Sequence, residues 1–186
     1  MTKTRKFKIA LDLDGVIIDK PPLIPKKLIE WLFKGGRKDG LFYRFPASKF
    51  EQAIRKISHF YLFRPPIRES FAFIKEISAS KDFDLFIVSG RYSFLKKETE
   101  NWLKIKNINS FFKKIYLNLN NKQPHLFKEE VLKKLKPDIF IDDDNLLADY
   151  LAQKLEGIKV YCCINGSEKC LKAEPISSIK EIPLFK

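Results

Sequence analysis

Residues 7–16, with the sequence FKIALDLDGV, determine how the rest of the chain is interpreted. An apolar run of strand length ends in two carboxylates, Asp12 and Asp14, and Gly15 then permits a tight turn. Side chains alternate along a strand, so the two carboxylates would lie on the same face. Burying two anions this close together costs free energy unless a cation lies between them. Mg²⁺, a hard cation that prefers oxygen ligands, fits such a pair.

A second acidic cluster follows another strand-like run. Asp142, Asp143 and Asp144 come directly after the apolar residues 139–141. Ser89 follows a third apolar run in the same way. Because ligands bind beyond the carboxyl ends of the strands in parallel sheets, these positions predict one shared site.

Strand-like and helical segments alternate regularly after residue 65. This alternation is typical of an α/β fold with a mostly parallel sheet and helices on both faces, a Rossmann-like three-layer sandwich. Residues 16–19 are predicted to form one arm of a short hairpin, and residues 176–186 a docked tail. The predicted strands lie at 6–12, 83–88, 114–117, 138–141 and 158–164, and the predicted helices at 67–78, 93–104, 124–135 and 145–155.

A separate helical segment interrupts the chain after the first acidic pair. Two helices are predicted there, at about 25–35 and 47–60. The core is therefore assigned to residues 1–20 and 65–186, and a small helical insert to residues 21–64. An insert of this length is large enough to cover a site.

The net charge of the chain indicates which kinds of partner it could bind. Among 186 residues there are 36 Lys+Arg and 23 Asp+Glu, which gives a formal net charge of +13. Such a surface would attract polyanions or phosphorylated substrates, unless the lysines only solvate ordinary helices.

No apolar run reaches the roughly 18 residues of a membrane span, and Asp12 comes too early for a signal peptide, so a cytoplasmic protein is expected. The three cysteines fit no disulfide framework and are expected to be buried thiols.

Together these segments resemble the haloacid dehalogenase (HAD) superfamily. Residues 12–16 (DLDGV) match its first motif, residues 87–91 (IVSGR) its second, and residues 139–143 (IFIDD) its fourth. A lysine before the fourth strand stands for its third motif. The resemblance implies a sheet in which strands 4, 1 and 2 lie side by side, and it makes residues 21–64 a cap of the C1 type. Members similar to 5′(3′)-deoxyribonucleotidases resemble the chain most.

The resemblance implies a site for phosphoryl transfer. Asp12 would be the nucleophile that forms an aspartyl-phosphate. Asp14 would be the general acid, which the dehalogenases of the superfamily lack at this place. Ser89, Gly90 and Arg91 would bind the phosphoryl group.

The third-motif lysine has two candidates. Lys128 is the first choice, and its charge would neutralise the phosphoryl group and hold Asp12 ionised. Lys122, in a Lys-x-Pro context, is the alternative and a candidate to bind substrate.

The resemblance also implies the ligands of a Mg²⁺ cofactor. Asp12, the backbone carbonyl of Asp14 and Asp143 would bind the ion, with Asp142 beside them as a direct or water-mediated ligand. The metal would offset the repulsion between the nucleophile and a phosphate dianion. Asp144 has no role in the family pattern and is a plausible N-cap of the next helix.

The expected function is that of a Mg²⁺-dependent phosphomonoesterase acting on a small phosphorylated substrate, with nucleotides among the candidates. Arg44 and Arg64, in the insert, are candidates to bind substrate charge. A nucleic-acid end phosphatase is an alternative that the net charge favours. A basic nucleic-acid-binding protein without turnover is an alternative of another class, and loss of a motif residue would have supported it.

Overall fold

Six parallel strands form one sheet in the computed structural model, which describes residues 5–19, 40–164 and 169–184. Their order across the sheet is β3-β2-β1-β4-β5-β6, and each neighbouring pair is parallel. The predicted parallel sheet is confirmed, and so is the placement of strands 4, 1 and 2 side by side. The strands are β1 (Phe7–Leu11), β2 (Phe83–Tyr92), β3 (Lys114–Asn118), β4 (Ile139–Asp142), β5 (Lys159–Cys163) and β6 (Glu174–Ile176).

Five helices accompany the sheet in the described residues, and the predicted helices there are confirmed to within a few residues. Ser48 caps α1 by accepting a hydrogen bond from the backbone N–H of Glu51 at 3.1 Å. Pro124 begins α4, where its missing N–H costs nothing. The helices are α1 (Lys49–Ser58), α2 (Arg68–Ala79), α3 (Lys96–Ile105), α4 (Pro124–Leu135) and α5 (Asn145–Lys154).

The core lies on both faces of the sheet, because alternate strand residues point to opposite sides. Ile9, Ala10 and Leu11 of β1 are completely buried, as expected for the centre of a parallel sheet. On one face β1 packs with α2 and α3, and on the other with α4 and α5. The first cluster includes Ile9, Leu11, Ile74, Ile77, Trp102 and Leu103, and the second Ala10, Phe86, Phe140, Leu132, Leu147 and Leu151.

The segment after the first acidic pair differs from the prediction. Residues 16–19 form no hairpin arm; instead Ile18 makes single bridges with Asp14 and with Pro66. The reason is the turn at Gly15, whose φ of +71° brings Ile18 back to donate to the Leu13 carbonyl. The chain therefore folds into a compact buried loop beside the end of β1.

Two other local predictions were wrong. The strand expected to stop at Val88 continues to Tyr92, with a register shift against β3 between Ser89 and Tyr92. The cysteines are not all thiols, because Cys162 is bonded to Cys170, and only Cys163 is free. The tail, in contrast, docks as predicted through buried side chains such as Ile179 and Ile182.

Helix α1 buries its polar face and exposes apolar side chains, which the sequence does not predict. Its helical spacing is confirmed, yet Phe50 is 76% exposed and Ile57 63% exposed. Arg55 and His59 are instead almost completely buried, at 1% and 2% exposure. The first predicted helix of the insert, at about 25–35, lies outside the described residues, and the domain division at residues 21–64 stays a prediction.

No helix in the described parts of the chain has the length and apolar character required to cross a membrane. Within those parts the longest helices, α2 and α4, have 12 residues each. A helical span needs about 20 residues.

The Trp102→Phe substitution should destabilise the protein. Trp102 is fully buried, its ring contacts Phe71, and its indole N–H donates to the Arg64 carbonyl at 2.7 Å. The loss of ring volume and of one buried hydrogen bond should lower the free energy of unfolding by about 2 kcal/mol. Urea denaturation measures this. Tyr150→Phe, which removes a hydroxyl bonded to Glu129 near the surface, is the control and should cost less than about 0.5 kcal/mol.

Candidate active site

One cavity of about 260 Å³ opens where the carboxyl ends of β1, β2 and β4 meet. This is the edge of the sheet at which parallel α/β folds bind ligands. Of the site residues expected from the sequence, all line this cavity except Lys122. They are Asp12, Asp14, Arg44, Arg64, Ser89, Gly90, Arg91, Lys128, Asp142 and Asp143.

The pairing of β1 with β4 brings the two acidic clusters together. Leu11 lies opposite Ile141, and the backbone N–H of Asp12 donates to the Ile141 carbonyl at 2.8 Å. Carboxylate oxygens of Asp12, Asp142 and Asp143 consequently lie within 4.8 Å of one another. Asp12 is 130 residues before Asp142 in the sequence. The parallel pairing of β1 with β4 brings the two segments together.

Lys128 is the buried cation of this cluster. Its Nζ atom lies 3.0 Å from Oδ1 of Asp12 and 2.7 Å from Oδ2 of Asp142. It projects from the second turn of α4, and α4 can approach the sheet because Gly90 has no side chain: a Cβ there would lie 2.9 Å from Cβ of Pro124. The position of the Lys128 ammonium is therefore set by both α4 and β2.

Lys122 lies elsewhere. Its ammonium is paired with Glu130 on an exposed surface, and it is not among the described residues that line the cavity. Of the two lysines considered for the third motif, the geometry favours Lys128.

Burial opposes the ionisation of the carboxyl groups in this cluster. Burial raises the pKa of Asp12, against the opposing effect of Lys128. Burial also raises the pKa of Asp142 to about 8. Burial alone would lower the pKa of Lys128, but its two carboxylate partners outweigh that effect and hold it above its ordinary value. One ammonium thus serves two buried carboxylates, with Asp143 close by.

This arrangement fits a Mg²⁺ ion. Three carboxyl groups supply the oxygen ligands that the ion prefers, and its two positive charges would favour their ionised form. Gly15 contributes by having no side chain, since a Cβ there would lie 1.9 Å from Oδ2 of Asp143. The turn after β1 is therefore shaped around the Asp143 carboxylate.

Asp14 is held by two guanidinium groups. Arg91 binds both of its oxygens, through Nε and Nη2 at 2.7 Å each, and Arg64 binds Oδ1 as well. Arg91 is fixed in turn by donating to Thr99 Oγ1 at 3.0 Å. Burial alone would raise the pKa of Asp14, but the two arginines outweigh it and hold the pKa well below its ordinary value. In this state Asp14 is ionised.

Ser89 and its neighbours line the cavity near the end of β2. The Ser89 side chain is buried, and its Oγ accepts a long hydrogen bond of 3.4 Å from the backbone N–H of Arg91. Asn118, which is fully buried, donates to the Gly90 carbonyl at 3.4 Å and to the Lys122 carbonyl at 2.6 Å. These bonds hold the end of β2 in place.

Asp144 and Tyr43 link the segment before α1 to the start of α5. The carboxylate of Asp144 caps α5 by accepting from the Leu147 N–H at 3.2 Å, as expected, and also accepts from the Tyr43 hydroxyl at 2.7 Å. Burial and the nearby Asp144 raise the pKa of Tyr43 above its ordinary value. The Tyr43 carbonyl accepts from the Tyr92 hydroxyl at 3.0 Å, and Gln123 bonds both backbone groups of Tyr43.

The sequence reasoning missed two buried residues of α1 and the turn after it. Arg55 and His59 line the cavity, and the ring nitrogen Nδ1 of His59 lies 2.7 Å from the Arg55 carbonyl. Burial and the charge of Arg91 lower the pKa of His59 to about 3, so its imidazole is neutral at pH 7. Glu51, Arg55 and His59 are spaced four residues apart and form one polar stripe. That stripe is the feature of the sequence from which the burial of Arg55 and His59 could have been predicted.

The fold is that of the haloacid dehalogenase-like hydrolases. A haloacid dehalogenase-like hydrolase from Bacteroides fragilis is similar with a TM-score of 0.62 at 11% identity, over 95% of this chain and 99% of that one. An archaeal beta-phosphoglucomutase from Pyrococcus sp. strain ST 04 has a TM-score of 0.60 at 14% identity, over 96% and 95%.

A third similar structure contains ligands. It is a HAD family enzyme from Bacteroides thetaiotaomicron in complex with magnesium and inorganic phosphate, with a TM-score of 0.54 at 18% identity, over 88% of this chain and 96% of that one. No protein-family model and no curated protein matches this sequence. At these identities the likeness establishes the fold.

Mg²⁺ should stabilise the protein more at pH 8 than at pH 6. The pKa of Asp142 in the folded protein is about 8, above its ordinary value of 3.8. Its contribution to stability is therefore present below about pH 4 and is lost as the pH rises toward 8. A divalent cation binds the ionised carboxylates and reverses this loss.

Thermal unfolding in EDTA and in millimolar Mg²⁺ at both pH values measures the effect. Asp142→Asn should remove most of the pH dependence. Asp82→Asn, at the opposite edge of the sheet, should behave like the wild type. An equal rise in Tm at both pH values would contradict the expected charge state.

Gly15→Ala should weaken Mg²⁺ binding by at least about ten-fold, because the new Cβ would displace the Asp143 carboxylate. Gly157→Ala is a matched control: Gly157 has a similar φ of +73°, but a Cβ there meets nothing within 4 Å. Both variants should lose about 1 kcal/mol of stability from backbone strain. Only Gly15→Ala should lose metal affinity in isothermal titration calorimetry; equal affinities would mean that Asp143 is not a ligand.

Proposed function

We propose that this protein is a Mg²⁺-dependent phosphomonoester hydrolase that acts through an aspartyl-phosphate on Asp12. The observation that carries the proposal is the cluster of Asp12, Asp142 and Asp143 around Lys128 at the carboxyl edge of the sheet. A buried carboxylate beside a fixed ammonium suits a nucleophile that must approach a phosphate dianion.

In the proposed first step, an oxygen of Asp12 attacks phosphorus. A bond forms between that oxygen and phosphorus, and the bond from phosphorus to the ester oxygen breaks. Lys128 lowers the pKa of Asp12, against the effect of burial, and would offset charge on the phosphoryl oxygens. Mg²⁺, held by Asp12, Asp143 and the backbone carbonyl of Asp14, with Asp142 next to them, would neutralise negative charge at the reacting group. Water then hydrolyses the aspartyl-phosphate, which releases phosphate and restores Asp12.

Asp14 would give a proton to the leaving alcohol in the first step and accept one from the attacking water in the second. The arginines hold it ionised in the free protein, so at least one of them would turn to the substrate when Asp14 carries a proton. Ser89, the backbone of Gly90 and Arg91 would bind the phosphoryl oxygens.

The size of the cavity favours a small substrate. At about 260 Å³ it is close to the lower limit for ligand pockets. Tyr43 and Tyr92 line it with rings whose hydroxyls are already bonded, and such rings suit a flat or apolar part of the leaving group. A nucleotidase-like activity on small nucleotides is the finer form of this proposal.

The Asp12→Asn variant tests the proposal. With p-nitrophenyl phosphate and Mg²⁺, the wild type should release p-nitrophenol, and the variant should lose activity by at least about 1,000-fold because the amide is not a nucleophile. Rapid acid quenching of the wild type with ³²P-labelled substrate should trap protein-bound label, which hydroxylamine releases. Hydrolysis no faster in the wild type than in the variant would favour a binding protein without turnover.

The net charge of +13 favours a second candidate, an end phosphatase for nucleic acids. It predicts that a 3′- or 5′-phosphorylated oligonucleotide is hydrolysed faster than the matching mononucleotide. Binding should also weaken steeply with salt. Equal rates for the two at low salt would exclude this candidate.

A further inference from the structure

We infer that Asn118 is a positioning residue for the phosphoryl group: its side-chain amide holds the peptide between Gly90 and Arg91 in the orientation that aims the Ser89 hydroxyl into the cavity. The role rests on the proposed function, in which Ser89 binds a phosphoryl oxygen, and it identifies what fixes that hydroxyl.

Asn118 ends β3 beside an irregularity in β2. Asn118 is paired with Tyr92, and the residue before Asn118 is paired with Ser89. Gly90 and Arg91 therefore lie between two successive paired positions. Extra residues of this kind form a bulge, which bends a strand and changes the direction of its side chains. Bulges are common next to active sites, and both residues of this one line the cavity.

The amide of Asn118 makes three hydrogen bonds in a fully buried position. Its Oδ1 accepts from the Lys122 N–H at 3.0 Å, and its Nδ2 donates to the Lys122 carbonyl at 2.6 Å. These two bonds to the loop after β3 fix the plane of the amide. An amide nitrogen carries two protons, and Nδ2 also donates to the Gly90 carbonyl at 3.4 Å.

The bond to Gly90 reaches Ser89 through one peptide group. The Gly90 carbonyl and the Arg91 N–H belong to the same planar unit and point in opposite directions. Holding the carbonyl therefore holds the N–H, which donates to Oγ of Ser89 at 3.4 Å. Because Oγ accepts from Arg91, its own proton can be donated to a phosphoryl oxygen. A phosphoryl oxygen bound to that proton would polarise the chain of bonds and strengthen it as far as Asn118.

The Asn118→Ala variant should lose affinity for the phosphoryl group and keep affinity for the metal. With Mg²⁺ present, its affinity for inorganic phosphate in isothermal titration calorimetry should fall at least about ten-fold, because Ser89 is no longer held in one orientation. KM for p-nitrophenyl phosphate should rise in proportion, with kcat nearly unchanged. Mg²⁺ affinity without phosphate should stay within about two-fold, since the acidic cluster lies at the ends of β1 and β4.

A purely structural role predicts the reverse pattern. Loss of stability in Asn118→Ala would reduce the amount of folded protein. The apparent kcat would then fall, whereas KM and the affinity of the folded protein for phosphate would not change.

Asn121→Ala is the matched control from the same loop. Residue 121 is exposed, and its Oδ1 accepts from the Ser93 N–H at 2.8 Å, beyond the bulge. The control removes an amide that joins the loop to the chain after β2, but it leaves the Gly90 carbonyl bonded to Asn118. Phosphate affinity and KM should therefore stay within about two-fold of the wild type.

A double-mutant cycle tests whether Asn118 acts through Ser89. Ser89→Ala by itself should weaken phosphate binding at least about ten-fold. Adding Asn118→Ala should weaken it by less than about a further two-fold, because the hydroxyl that Asn118 orients is already gone. Independent effects would instead multiply to about 100-fold.

If the Asn118→Ala proteins do not fold, NMR of the ¹⁵N-labelled wild type decides. Saturating inorganic phosphate should shift the resonances of both the Arg91 backbone N–H and the Asn118 side-chain amide. Ser89→Ala should abolish the shift at Asn118. An Asn118 amide that does not shift, or that shifts equally in Ser89→Ala, would overturn the role.

The role of Asn118 is excluded if Asn118→Ala binds phosphate as tightly as the wild type, if the two substitutions have independent effects, or if the wild type binds no phosphate. If the wild type hydrolyses p-nitrophenyl phosphate no faster than Asp12→Asn, the proposed function fails instead. Calorimetry with inorganic phosphate needs no turnover, so it still decides the role of Asn118 in that case.

Discussion

The ammonium of Lys128 between Asp12 and Asp142 is the interaction on which the site depends. It joins α4 to β1 and β4 in a buried position, where an unpaired charge would be very costly. The two carboxylates can meet only because β1 and β4 are neighbours in parallel register. Burial raises the pKa values of both carboxyl groups despite this ammonium, and a divalent cation bound beside them would favour their ionised form.

Arginines accompany the other carboxylates of the cavity. Asp14 contacts Arg64 and Arg91, and Glu51 contacts Arg44 and Arg55. The cavity is therefore lined by both acidic and basic groups, whose interactions are strong where water is excluded. The net charge of the whole chain does not reveal this arrangement.

Part of the structure could be predicted because its signals are local. Regular apolar spacing predicted the helices at 124–135 and 145–155, and the carboxylates at 12 and 142–144 marked the ends of two strands. Other features depend on partners that are distant in the chain. The apolar spacing of Phe50 and Ile57 predicted a helix correctly, but it gave no indication that the polar stripe, with Arg55, would face the site. The spacing of apolar residues indicates that the two faces of a helix differ in polarity, but it does not indicate which face packs against the rest of the protein.

The sequence by itself determined the chain order of β1 to β5 and of the helices that follow β1 in the described residues, the α/β class, and the acidic pair that leads into a glycine turn, because spacing and turn chemistry act within a few residues. It did not predict β6. Only the tertiary structure decided that Lys128 rather than Lys122 reaches Asp12, that Arg64 and Arg91 hold Asp14, and that Cys162 is bonded to Cys170. The physical reason is that a charge or a thiol acquires its partner from the packing of separate segments, and local sequence does not encode that distance.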